Sequence, residues 1–262
     1  MPPETPRAPD APAPAPDAFR PLTLHKVALG LIVVAVVIIL IALASLLGHQ
    51  RTEGRLSENL HVVFWYFDVG REYNLATWYN SGLWLVMGAL AAAIAVARPA
   101  LHRSWWLLAW VALFASVDEY LEVHERLDVP GDVLAQHLPV EIGFTWVLVG
   151  APIALVVGAL LLRLVLSLPR RATLGVLLGG ALFLTGAVGI ETINGRILLA
   201  NDMVVDNAYI YSTMVEELLE MSGVAVALSA LVSLIQYDAG RGVLRLDPAV
   251  QVGRVRAGAS VP

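Results

Sequence analysis

Val27-Ala-Leu-Gly-Leu-Ile-Val-Val-Ala-Val-Val-Ile-Ile-Leu-Ile-Ala-Leu-Ala-Ser-Leu-Leu47 is a run of 21 residues without a charge, with Ser45 its only hydroxyl. At 1.5 Å per residue it reaches ~30 Å, the thickness of a bilayer's hydrocarbon core. It is longer than the apolar core of a secretory signal, about 7–15 residues, so it reads as a retained membrane helix. Arg20, His25 and Lys26 flank its start. Composition agrees: 58% of the 262 residues are hydrophobic and 15% charged, too apolar for an ordinary soluble domain. Cysteine is absent, which excludes disulfides, thiolate ligands and cysteine nucleophiles and leaves any metal site to oxygen and imidazole.

Working outward from that helix, further apolar stretches give spans at Val27–Leu47, Trp78–Ala97, Ser104–His124, Val140–Leu166, Ala172–Ile193 and Tyr209–Gln236. The expected fold is all-α, a polytopic transmembrane helix bundle of about six spans over residues 23–237. Residues 1–22, rich in Pro and Ala, read as a disordered tail, and 238–262 as a short aperiodic extension. Twelve of the 17 Lys and Arg fall before the first span, in alternate loops and in the C-terminal tail. That asymmetry predicts a multi-pass protein of the plasma (inner) membrane with both termini cytoplasmic. Gly175 and Gly179 predict close helix packing. The His-Val-Val-Phe-Trp-Tyr-Phe stretch at 61–67 is expected to lie in the outer interface or fold over the bundle.

The acids run the other way: 17 of 22 Asp and Glu fall in the outer half. Two triplets, Asp118-Glu119-x-x-Glu122 and Glu216-Glu217-x-x-Glu220, lie inside spans. There a central Asp costs ~2.5–3.5 kcal/mol on insertion scales, so such residues mark a pathway, a relay or a bound cation. Asp118 is ~21 Å from Ser104 and Glu220 ~24 Å from Gln236, which places both triplets in the outer third. On an ideal helix Asp118, Glu122 and Glu125 share a stripe with Glu119 at its margin, and His124 points about 200° from Glu122. Glu191, Glu141, Asp68 and Glu72 can reach the same layer. Such a cluster suits a divalent metal, Mn, Fe, Mg or Ca, with Zn the remaining choice, as one ion or two bridged by shared oxygens. The expected ligands are Asp118, Glu122, Glu216 and Glu220, joined by Glu125, His124 and Glu72; Glu119, Glu217 and Glu191 are the candidate catalytic bases. The plain structural alternative is a set of helix-end acids held by Arg71, Arg126 and Arg196.

Phe67-Asp68-Val-Gly-Arg-Glu72-Tyr-Asn74-Leu-Ala-Thr77-Trp78-Tyr79-Asn80-Ser81, Ser116-Val-Asp118-Glu119-x4-His124-Glu125 and Glu216-Glu217-Leu-Leu-Glu220-Met221-x-Gly223 together resemble an uncharacterised group of bacterial six-helix integral membrane proteins. The resemblance runs from Phe64 to Tyr237. It implies a six-helix bundle and one shared pattern of Asp68, Glu72, Asn74, Asp118, Glu119, His124, Glu125 and Glu220, with no activity attached. The alkaline ceramidase-like membrane hydrolases are a poorer comparison, because no His follows His137 to supply their late His-x-x-x-His pair.

The expected function is a metal-binding membrane protein, as an enzyme acting on a lipid, quinone or other amphiphilic small molecule from the outer side. A proton- or cation-coupled transporter is the first alternative, to be marked by a discontinuous helix or by polar groups through the inner half. A non-catalytic membrane subunit is the second. No nucleotide loop, hydrolase elbow or His-Glu-x-x-His is present, and the acidic outer surface excludes nucleic acid.

Overall fold

The structure, a computed structural model, describes residues 19–21 and 24–252. It is mostly helical. The apolar run Val27–Leu47 lies in α1 (Leu24–Arg51), and a short break at Thr52–Glu53 leads into α2 (Gly54–Phe67). The aromatic stretch expected at the interface is therefore a helix. It folds back on α1 through Phe64, which is 7% exposed, while Trp65 and Tyr66 stay open.

α3 (Leu75–Val96) begins at a side-chain cap. Asn74 Oδ1 accepts from the backbone N–H groups of Ala76 and Thr77, and its Nδ2 donates to Asp68 O at 2.7 Å. One amide thus satisfies the orphan donors of α3 and ties in the end of α2. α4 (His102–Leu121) packs along α3. Two reciprocal bonds, Ser81 Oγ to Ser116 O at 2.7 Å and Ser116 Oγ to Ser81 O at 2.9 Å, clasp the pair.

Beyond α4 a 3₁₀ turn (His124–Leu127) leads into α5 (Asp128–Ala135). α6 runs Val147–Ser167, and the expected span from Val140 starts seven residues late. The reason is Asp128, whose Oδ1 accepts from the Trp146 N–H at 2.6 Å and holds the preceding segment against α5. α7 (Arg170–Leu184), a π-helical turn (Thr185–Ile190) and α8 (Glu191–Ala200) form one continuous 31-residue rod.

α9 (Asn207–Val232) is the centre of the bundle, packed on α7, α1 and α3. It crosses α7 at a pair of glycines. A Cβ on Gly223 would lie 2.6 Å from Gly179 O, and one on Gly179 would lie 2.5 Å from Gly223 O. Only Gly fits on either side.

The chain after α9 is folded, against the expectation of an aperiodic tail and of a span reaching Gln236. β2 (Ile235–Asp238) and β3 (Val243–Leu246) make a hairpin, with β1 (Arg20–Pro21) antiparallel on the other edge of β2. Asp238 Oδ1 organises the turn by accepting from Gly240 and Arg241 N–H groups, and α10 (Pro248–Val252) follows. β1 lies within the segment read as disordered; of that segment, residues 1–18 and 22 lie outside the described residues. The sheet joins the start of α1 to the end of α9.

Four helical segments are long and apolar enough to cross a membrane: His25–Arg51, Leu75–Val96, Val147–Ser167 and Arg170–Ala200. The remaining two long helices, α4 and α9, have 20 and 26 residues and carry the two carboxylate triplets. Large apolar side chains cover the outside, Leu155 at 71% and Leu29 at 62% exposure among them. The interior closes on small residues, with Ala42, Ala91, Ala112 and Ala225 at 0%.

Candidate carboxylate site

The end of α4 differs from the ideal helix and rearranges the site. Glu122 adopts a left-handed conformation, φ 49° and ψ 43°, and stops the helix after Leu121. Glu122 and Glu125, expected on the Asp118 stripe, leave it and line an open cleft of about 460 Å³ with Arg126 and Asp128. The same break swings His124 back onto Asp118. Its backbone N–H donates to Asp118 Oδ1 at 2.7 Å, and Nδ1 pairs with Oδ2 at 3.0 Å. The 200° separation holds for a continuous helix only. Asp118 is thus engaged by both oxygens and acts as an orienting group: when the imidazole is neutral, an Nδ1–H held by the carboxylate leaves the Nε2 lone pair free. The imidazole rests against the Trp146 ring, centroids 4.7 Å apart.

Glu119, placed at the margin by the stripe argument, is the α4 acid that enters the bundle. Asn80 Nδ2 donates to its Oε2 at 2.9 Å, and the Trp84 indole lies beside it. Glu72, on the loop before α3, interacts with Glu119 and His124. Burial, with the charges of Glu122 and Glu125, pushes the Glu72 carboxyl up to about 7 against the opposing effects of Thr77 and His124. Burial lowers the His124 pKa, but the Asp118 hydrogen bond and the surrounding acids outweigh it, so His124 titrates above its ordinary value.

On the other side, α9 presents Glu216 and Glu220, 4% and 8% exposed, with Glu217 half-buried. Asn194 of α8, 1% exposed, donates from Nδ2 to Glu216 Oε2 and also lies 3.3 Å from the Thr213 hydroxyl. Glu191 faces Glu216, carboxyl to carboxyl, and its Oε1 accepts from Trp146 Nε1–H at 3.2 Å. The π-helical turn immediately before Glu191 presses on α9, since a Cβ on Gly186 would meet Glu220 Cγ at 2.7 Å. Glu217 interacts with Glu119, Glu72 and Glu191, and Glu220 with Glu217, Glu119, Glu216 and Glu191. The acids of α4, α8, α9 and the Glu72 loop therefore form one cluster.

Asp68 does not join it, because Arg71 and the Gly70 N–H hold its carboxylate. Glu141 is exposed. Of the three arginines expected to hold the acids, only Arg71 does so, and its partner Asp68 lies outside the cluster. Among the described residues Arg71 pairs with Asp68, the other ion pairs are His124–Asp118 and Arg241–Asp238, and Arg126 and Arg196 bridge none of the buried carboxyls. Four buried oxygens of the cluster have no hydrogen-bond donor: Glu72 Oε2, Asn80 Oδ1, Asn194 Oδ1 and Glu216 Oε1. Among the described residues no three His, Asp or Glu side chains already converge on one metal position.

Asn80, Asn194 and Trp146 escaped the reading of the sequence. For Asn80 and Asn194 the signal was an amide inside or just past an apolar span, since a buried amide requires partners; Trp146 gave none. No curated protein and no solved structure matches the chain. One family does, over residues 28–234, most of the length; the chain belongs to the domain of unknown function DUF8692.

Proposed function

We propose that the chain is a six-helix integral membrane protein with cytoplasmic termini, and that its outer carboxyl cluster binds a divalent cation in exchange for protons. The sheet that joins the start of α1 to the end of α9 supports an even number of crossings. The distribution of Lys and Arg supports the orientation.

One observation carries the cation reading. Glu72, Glu119, Glu191, Glu216, Glu217 and Glu220 are gathered with no Lys or Arg in salt-bridge contact among the described residues. Carboxylates in so poorly hydrated a space cannot all stay charged and unpaired. Protons neutralise the resting site, and a cation draws its ligands together as those protons leave. Four of the six orphaned atoms are carboxyl or amide oxygens, the donor set of Mn²⁺, Mg²⁺, Ca²⁺ or Fe²⁺; the other two are the indole nitrogens of Trp84 and Trp105. An enzyme built on this site would take an amphiphile from the outer leaflet.

A second reading, cation–proton transport, is favoured by the π-helical turn at Thr185–Ile190. It interrupts the α-helical register of the rod that carries Glu191, an irregularity associated with functional sites. Both readings share the exchange step, so the first test addresses it. Mn²⁺ added to unbuffered, detergent-purified protein should release protons and bind more weakly as pH falls. Absence of saturable Mn²⁺ binding at every pH at which the protein stays folded would overturn the proposal.

A further inference from the structure

The hairpin after α9 reads Ile235-Gln236-Tyr237-Asp238 on β2 and Val243-Leu244-Arg245-Leu246 on β3. Residues opposite one another on neighbouring strands share a face of the sheet. The register pairs Ile235 with Leu246 and Tyr237 with Leu244, and it sets Arg20 of β1 opposite Tyr237. One face is therefore apolar, with the row Arg20, Tyr237, Leu244 crossing all three strands. The other face carries Gln236, Asp238, Val243 and Arg245, where Arg245 Nε donates to Gln236 Oε1 at 2.8 Å. The apolar face is covered at its root and open at its tip. Leu246 packs on the core, and the Asp247 N–H donates to Leu234 O at 2.8 Å, which clamps the hairpin to the end of α9. Farther out, Tyr237 is 40% and Leu244 62% exposed.

We infer that this face rests on an anionic membrane surface, with Tyr237 and Leu244 in the headgroup layer and Arg20 and Arg241 at the lipid phosphates. The inference depends on the bundle's crossing a membrane and is independent of the cation reading. Position favours lipid as the occupant: β1 ends three residues before α1 and β2 begins three residues after the last of α9, so the sheet sits where these helices meet the bilayer surface. The side chains suit that layer, because a Tyr ring and a Leu enter it while a neighbouring guanidinium stays with the phosphates. Charge agrees. Lys26 at the start of α1, and Arg170 and Arg171 at the start of α7, are exposed at the same end, since α7 runs antiparallel to α9. The acids of the hairpin region are turned inward: Asp238 is buried, and Asp247 accepts from the Ala249 N–H at 2.9 Å. Such a basic end draws anionic headgroups.

The chain has no cysteine, so a nitroxide can be attached at one position at a time in the full chain. Leu244→Cys, Val243→Cys and Leu155→Cys would be labelled in nanodiscs of phosphatidylglycerol or phosphatidylcholine. Relaxation by oxygen, which concentrates in lipid, is then compared with relaxation by a water-soluble nickel chelate. In phosphatidylglycerol the label at 244 should respond mainly to oxygen and the label at 243, on the opposite face, mainly to nickel. In phosphatidylcholine, or with Arg20→Gln added, the label at 244 should turn towards nickel. A nickel-accessible 244 in phosphatidylglycerol would overturn the inference, and so would a label shielded from both reagents, which would mean that protein covers the face. Equal protection in the two lipids would overturn the part assigned to the arginines. A nickel-accessible label at 155, on the apolar outside of α6, would instead remove the membrane-spanning reading itself.

Discussion

Asp118 and Glu119 are neighbours on α4 with opposite duties. Asp118 holds the His124 backbone and ring, whereas Glu119 faces Asn80 and the buried acids. Glu119→Gln should therefore abolish Mn²⁺ binding, while Asp118→Ala should weaken it by roughly 10-fold to 100-fold, the range for losing an orienting partner. Equal loss in both variants would make Asp118 a direct ligand. Glu72 gives a pH signature in the metal-free protein. Its carboxyl titrates at about 7 when folded and at 4.5 when unperturbed. Between those values the folded chain holds a proton that the unfolded chain has released, so stability falls as pH rises through the window. The slope is at most ~1.4 kcal/mol per pH unit, less for a half-buried group. Thermal melts of Glu72→Gln should be flatter over this range, and an unchanged slope would assign the dependence to another group.

The helices themselves were largely legible, because apolar runs of spanning length admit few other structures. Where they end was not. Nothing in Leu121-Glu122-Val123 announces a left-handed residue, yet that single backbone choice sends Glu122 and Glu125 to the surface and brings His124 to Asp118. The π-helical turn is equally silent in the sequence, and it sets the rotation of Glu191. Glu191→Gln should lower Mn²⁺ affinity with unchanged helical circular dichroism; unchanged affinity would show that Glu191 is dispensable. The glycine spacing on α7 did predict close packing, but its partner, Gly223, emerges only from the fold. Gly223→Ala places a methyl against the Gly179 carbonyl and the Phe183 backbone, and should cost ~1–3 kcal/mol in unfolding free energy.

At the scale of the molecule, the sheet at one end and the carboxyl cluster at the other give the bundle two chemically distinct faces. Since the chain has no cysteine, single replacements report on sidedness. In spheroplasts an impermeant maleimide should label Val204→Cys, on the exposed α8–α9 connection, and spare Arg241→Cys in the β2–β3 turn. Labelling of Arg241→Cys alone would invert the orientation. Depth counted along the helices put the acids at one level but also counted in Asp68 and Glu141, which the fold leaves apart, and the buried amides needed the packing of α3 against α4 and α8 against α9. The most direct test of the central claim is elemental analysis of the detergent-purified protein, loaded with Mn²⁺ and desalted, beside Glu220→Gln. The account predicts stoichiometric metal in the unaltered chain and its loss in the variant. Metal at the same level in both, or in neither, would contradict it.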